Sequence, residues 1–181
     1  MNPRGLRPRS TSPRVSIFRV NLTLTILEGA PLYGERVTKP FTPNPGFNDE
    51  WWLGDEKSPL VFCSFTTDAR GEVARAQIKL RSTLGVAYPT YARPQFGSTE
   101  VDRLEVRTDL RGQGLGREVM ARLLAEFPRP CIALSLDERS DPFWRSLGWT
   151  EHPHPDPRGA SLFVRPDSPT ATGVILRRMH S

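Results

Sequence analysis

Long apolar runs are missing from this chain. No stretch approaches the roughly 20 consecutive apolar residues that cross a bilayer, so no membrane partner is expected. The nearest imitation of a secretory leader, "VSIFRVNLTLTIL" behind a basic stretch, carries Arg19 and Asn21 inside its apolar part and has no convincing small-residue cleavage site. A cytoplasmic protein is therefore expected. Cysteine is scarce as well. The two present, Cys63 and Cys131, sit inside "LVFCSF" and "PCIALSL", which excludes a disulfide framework and reads as small core residues of a reducing compartment. Of the three histidines, His152 and His154 lie two apart in the proline-broken "EHPHPDP" and His180 stands near the C-terminus. That spacing is poor for a metal, and the first two read as exposed loop residues. Internal repeats are absent too.

What remains is enough for one domain: 181 residues can bury a core without staples. The formal charge of +5 permits a polyanionic partner, whether nucleic acid, anionic lipid or a cofactor. Much of that charge is peripheral, with Arg4, Arg7, Arg9 and Arg14 at one end and Arg177 and Arg178 at the other. Residues 1–14 are expected to be a disordered basic tail and 167–181 a flexible one, around a single domain over 15–166. Charge held in tails does not make nucleic acid an expected partner.

At positions 18 to 26 the even residues are apolar and the odd ones polar, the period of a half-buried strand. From Glu28 to Pro59 recurrent prolines and the lack of a helical period predict mostly loop; Trp51 and Trp52 within it either line a ligand cleft or cover the core. "LVFCSFTTDARGEVARAQIKLRS" predicts an antiparallel hairpin turning at "TDARGE". The aromatic loop 83–98 is long for a compact domain, a length that is often functional. "STEVDRLEV" predicts a strand, and Leu115, Val119, Met120, Leu123, Leu124 and Phe127 fall at helical spacing. "CIALSL" predicts a buried strand, "DPFWRSLGW" a short helix ending at Gly148, and "ASLFVRP" a last strand. Hairpin strands followed by alternating strands and helices make the fold class mixed α/β.

Between the strand and the long helix stands "RTDLRGQGLG", with Gly112, Gly114 and Gly116. A glycine-rich turn entering a helix leaves main-chain N–H groups unpaired and pointing one way, which suits an anion such as phosphate. Two phosphate-binding patterns fail on spacing. A P-loop needs lysine and a hydroxyl residue after its last glycine, where Arg117 and Glu118 stand, and "GQGLG" is not the G-x-G-x-x-G of a dinucleotide fold.

"VDRLEVRTDLRGQGLGREVMARLL" resembles the acyl-CoA-binding segment of the GNAT superfamily of N-acyltransferases. Its signature of Arg or Gln, two residues, Gly, one residue, then Gly or Ala is filled by Arg111, Gly114 and Gly116. "DPFWRSLGW" resembles the second signature of that family, Phe-Tyr-x-x-x-Gly-Phe, with Phe143, Gly148 and Trp149 in register. The resemblance covers roughly residues 60 to 165. It implies a GNAT-type mixed, mostly antiparallel twisted sheet with a splayed central parallel strand pair and flanking helices. It also implies acetyl-CoA or another acyl-CoA as co-substrate, no metal, and direct acyl transfer to a primary amine of a small molecule or a protein. A homodimer is allowed.

By the same resemblance, the main-chain N–H groups of Gly112, Gln113, Gly114, Leu115, Gly116 and Arg117 cradle the CoA pyrophosphate, and Arg111 and Arg117 add charge near it. The backbone of Leu104, Glu105 and Val106 pairs with the pantetheine arm. Glu100 is the first candidate for general base, because "EVDRLEV" resembles the arrangement in the histone-acetylating branch; Asp102, on the same strand face, is the second. Strict alternation puts Glu105 on the opposite face. The alternative for these carboxylates is pairing with Arg103 or Arg107. Trp144 stands where many members carry the tyrosine that protonates the departing thiolate, and an indole N–H donates a hydrogen bond without delivering a proton at useful cost. Packing against the acyl and pantetheine end of the cleft is the role left to it. Two other classes stay open: a non-catalytic CoA-binding or regulatory module, favoured by Trp144, and a nucleic-acid-binding protein, favoured by charge alone.

Overall fold

The computed structural model describes residues 21–27, 40–52, 60–84, 87–91, 98–127, 131–137 and 139–166; both expected tails and residues 18–20 of the expected first strand lie outside the described residues. The hairpin forms as its turn chemistry dictates. Strands β2 (Leu60–Thr67) and β3 (Gly71–Ser82) pair antiparallel and close at Thr67 and Gly71, where Gly71 takes a φ of 62°. Strand β1 (Thr23–Leu27) lies outside β2, with Leu22 and Leu24 packed on the core and Thr23 and Thr25 exposed.

Strand β4 (Ser98–Val106) joins β3 antiparallel, and helix α1 (Leu115–Glu126) carries the chain back so that β5 (Cys131–Ser135) lies parallel to β4. Helix α2 (Asp141–Ser146) and strands β6 (Thr150–His152) and β7 (Ser161–Val164) complete the sheet order β1-β2-β3-β4-β5-β7-β6. Every pairing except β4–β5 is antiparallel. This is the mixed, mostly antiparallel sheet with a central parallel pair and flanking helices that the resemblance implies. Strand β6 was not legible as a strand, and it corrects the reading of "EHPHPDP" as loop throughout.

Helix α1 buries Leu115, Val119, Met120 and Leu123 against Cys63, Phe65, Ala74, Ala76 and Ile78 on one face of the sheet, at about 1.5–3 kcal/mol for each large side chain taken from water. Residues 40–52 cover the other face. Their Phe41 and Trp52 pack on Phe62 of β2, and Arg75 of β3 pins them down. That arginine is fully buried, with Nη1 2.9 Å from Asp49 and Nη2 2.8 Å from Glu72 and 2.6 Å from the Thr42 carbonyl. Its guanidinium also lies 4.8 Å from the ring centre of Phe41 and 4.1 Å from that of Phe47.

The β3–β4 register slips in its middle. Gln77 faces Arg103 but Ile78 faces Val101, so Asp102 is the extra residue of a β-bulge. Directly paired residues share a face. Lys79 with Glu100, Gln77 with Arg103 and Arg75 with Glu105 therefore lie together on the face covered by 40–52. The expectation that Glu105 points away from Glu100 is thereby corrected: the bulge reverses the alternation between them.

Candidate active site

Strands β4 and β5 stay paired through Thr99–Cys131, Glu100–Ile132 and Val101–Ala133. Beyond that β5 continues along β7, and a gap opens. The amide of Arg107 donates to the Val73 carbonyl at 2.9 Å. Main-chain groups of successive strand residues aim to opposite sides, so Glu105 directs its backbone to β3 while Leu104 and Val106 direct theirs into the gap. Of the three residues expected to offer an edge, Glu105 is thus withdrawn. The Val106 carbonyl accepts Arg111 Nε at 2.9 Å, which among the described residues leaves both groups of Leu104 and the Val106 N–H as an open sheet edge inside the fold. A cleft of about 820 Å³ follows this edge, walled by Val101 to Leu104 and by Val106, by Leu134 and Leu136 at the end of β5, by the glycine turn and by α2.

The turn meets the cleft at the start of α1. Gly114 caps the helix at φ 82° and Gly112 sits at φ 75°. A Cβ on either would meet nothing within 4 Å, so backbone conformation, not space, demands glycine there. Gly116 differs, because its Cβ would stand 3.0 Å from Phe143 Cε2; it lets α2 approach α1. The helix has no side-chain cap, and among the described residues the amides of Gly112, Gln113, Gly114, Leu115 and Gly116 have no backbone partner. Arg117 is the exception to the expected cradle, since its N–H is spent on the Gly114 carbonyl at 3.0 Å.

Neither arginine floats free beside the turn. Arg111, besides holding Val106, reaches Glu105 Oε1 at 3.0 Å. Arg117 donates to the Ser146 carbonyl at 2.9 Å and so ties α1 to the end of α2. Both still line the cleft.

The carboxylates divide by position. Glu100 is buried, accepts Ser82 Oγ at 2.6 Å, lies 3.7 Å from Lys79 Nζ, and is not part of the cleft wall. Asp102, pushed out by the bulge, does line the cleft. It holds Lys79 Nζ at 2.6 Å and Gln77 Nε2 at 2.7 Å, with Arg103 Nε at 3.7 Å. Pairing with Arg103 is therefore seen for Asp102, whereas Arg107 bonds Asp109 at 2.7 Å and holds that carboxyl below its ordinary range. Glu105 is buried at the floor of a second cleft of about 470 Å³, where its two oxygens take the Asn48 N–H at 3.0 and 3.2 Å. Lys79 and Gln77 were missed in the sequence. Their signal was the alternation of "ARAQIK", which puts Arg75, Gln77 and Lys79 on one face of a central strand.

Trp144 is 6% exposed and its ring lies 5.0 Å from those of Phe143 and of Trp149, so it belongs to the core as well as to the cleft wall. The tryptophan pair divides its roles: Trp52 is fully buried, while Trp51 is 40% exposed and borders both clefts. His152 and His154 are half-buried, packed on Tyr91 and Tyr88, which corrects their reading as exposed. Among the described residues no group of His, Cys, Asp and Glu is placed to hold a metal ion, and no helix is long and apolar enough to cross a membrane.

A splayed parallel pair with an anion-ready turn at its mouth is the arrangement that the resemblance to N-acyltransferases implied. Residues 31–149 match the model of the Acetyltransferase (GNAT) family, and the chain belongs to that family. No curated protein sequence matches it. Among solved structures it is similar to an acetyltransferase from Thermus thermophilus, at 20% identity and a TM-score of 0.45 over 62% of this chain and 67% of that one. It is similar at 20% identity and 0.45 to the Bacillus subtilis N-acetyltransferase YlbP in complex with coenzyme A, over 61% and 68%. For the KacTA–DNA complex the values are 15% and 0.49, over 80% and 93%. The family uses acyl-CoA as co-substrate. The open edge at Leu104 and Val106 and the unpartnered amides of the turn fit its amide-bearing arm and its pyrophosphate.

Proposed function

We propose that the protein moves an acyl group, most simply acetyl, from acyl-CoA to a primary amine of a small molecule or a protein. One observation supports this above the rest: the unpaired β4 edge and the glycine-turn amides open into the same cleft. The turn amides hold the pyrophosphate, and Leu104 and Val106 hold the arm so that the thioester reaches the bulge. There Asp102 takes the first proton from the incoming ammonium, which must be lost before nitrogen can attack. Glu100, lying behind it, shares Lys79 and keeps that cation in place. Asp102→Asn is expected to lower turnover by about 10² or more at neutral pH with CoA affinity kept, and the loss to shrink at high pH, where the amine deprotonates unaided. Equal activity of Asp102→Asn and wild type, with Glu100→Gln inactive, would return the role to Glu100.

Trp144 in place of a phenol favours a second reading, a CoA-binding module without turnover. Thiol release from acetyl-CoA over a panel of amines, peptides and aminoglycosides separates the two. Acyl transfer requires release with some acceptor. The module requires a CoA-induced rise in melting temperature with release from none.

A further inference from the structure

The cleft wall carries a chemical task that Trp144 cannot perform, because a proton donor assists the departing sulfur of a thioester and an indole does not release its proton at neutral pH. Ser140, which precedes α2 by one residue, lines the same cleft. By position it is the N-cap of that helix, and such a serine normally accepts a hydrogen bond from the first turn. Here it makes no side-chain cap bond, and its backbone is helical at φ −85°, ψ −20°. The hydroxyl is turned to other partners.

Those partners form a chain of short bonds leading into the fold. Ser140 Oγ lies 2.6 Å from Ser135 Oγ and 2.7 Å from the Asp137 carbonyl. Ser135, which is buried, donates to Asp141 Oδ1 at 2.5 Å. An ionised carboxylate accepts and does not donate, so the Ser135 proton points to Asp141 and the Ser135 oxygen is left as an acceptor for Ser140. The single Ser140 proton then has two acceptors within 2.7 Å, and among the described residues nothing donates to its oxygen. A proton with a choice of partners and an open acceptor sit on one hydroxyl. The other hydroxyl on this wall, Ser146, is committed to the Phe143 carbonyl at 2.7 Å and to Arg117.

We infer that Ser140 is a catalytic proton shuttle for the acyl transfer proposed above, on which this inference rests. Its hydroxyl gives a proton to sulfur as the C–S bond breaks, and takes one from the nitrogen that has just bonded to the acyl carbon. The electron pair of the broken bond stays on sulfur. Nitrogen loses one proton, sulfur gains one, and Ser140 ends as it began. Ser135 and Asp141 are positioning residues: the charge-assisted bond to Asp141 fixes the Ser135 oxygen as the resting partner of the Ser140 proton.

The test compares wild type, Ser140→Ala, Ser140→Thr and Ser135→Ala in the full chain, by steady-state thiol release from acetyl-CoA with the best amine of the panel and by the CoA-induced thermal shift. Ser140→Ala is expected to lose about 10² in kcat, the usual worth of a positioned acid–base group, with the CoA shift unchanged. Ser140→Thr, which keeps a hydroxyl, restores most of the turnover, and Ser135→Ala falls between. Turnover of Ser140→Ala within about twofold of wild type, or of Ser140→Thr as low as that of Ser140→Ala, overturns the shuttle while leaving acyl transfer intact. A wild type that releases no thiol with any amine overturns acyl transfer and the shuttle together.

Discussion

Trp144 is at once a wall of the cleft and part of the core, and its truncation tests both. Burial to 6% exposure between Phe143 and Trp149 places Trp144→Ala among core truncations of a large aromatic, which cost about 3–5 kcal/mol. For a domain of this size each kcal/mol moves the melting temperature by about 2–4 °C. The fall should be about 6–20 °C in the absence of ligand. Trp144→Phe keeps the ring contacts and gives up roughly three buried atoms, so about 2 kcal/mol and a fall of about 4–8 °C are expected. Thermal scans followed by near-ultraviolet circular dichroism read both. Repeating them with CoA at about 100 times its Kd, which adds about 2.7 kcal/mol to any variant that still binds, separates the fold from the cleft. In thiol release below all the melting points, Trp144→Phe should keep most of the turnover and Trp144→Tyr should bring no large gain. A Trp144→Ala protein melting within about 2 °C of wild type would refute the core assignment. A gain of about 10² for Trp144→Tyr would mark the natural chain as a disabled transferase and put the binding module first.

Two glycines of the same turn should fail for different reasons. Gly114→Ala meets no atom but must hold φ 82°, so about 1–2 kcal/mol of stability and the CoA-induced thermal shift should both be lost. Gly116→Ala presses on Phe143, and should cost about 1–3 kcal/mol of overpacking with the CoA shift kept; the opposite pattern in thermal scans would reverse the assignment. Burial pushes the Cys63 and Cys131 thiols up from 9.0 to about 12, and since a thiol whose folded value is raised resists ionisation only in the native state, stability is full below pH 9.0 and drains as pH rises toward 12. Ellman's reagent at pH 8 should accordingly titrate neither thiol until denaturant is added, and rapid native reaction would show that these residues are not core.

Much of the site announces itself locally. The hairpin follows from "TDARGE", the long helix from its apolar period, and the anion-ready turn from three glycines whose spacing fits one family and not two others. What escaped depends on neighbours in space. Nothing in "EVDRLEV" says that Asp102 is a bulge, because a bulge is a mismatch between two strands; yet that one residue decides which face Glu105 takes. Arg75 is the same kind of case. A charge reads as solvated until Asp49, Glu72 and two phenylalanine rings are found around it. Strand β6 is three residues long, too short for a period, and only β7 makes it a strand. Ser140 gives no signal of its own in the sequence, because the partner of its hydroxyl is a serine five positions back, brought to it by the end of β5.

The parting of β4 and β5 also places a strand edge inside the molecule. An exposed strand edge normally invites any polypeptide to add itself, side chains and all. Here the edge at Leu104 and Val106 lies in a slot between the glycine turn, the end of β5 and α2, with Trp144 closing one wall. A peptide strand would have to bring a side chain against each wall at every second residue. The β-alanine–cysteamine stretch of a pantetheine arm carries amides but no side chains, so it offers the same backbone bonds without that demand. The fold thus keeps a strand edge inside itself, walled by its own elements.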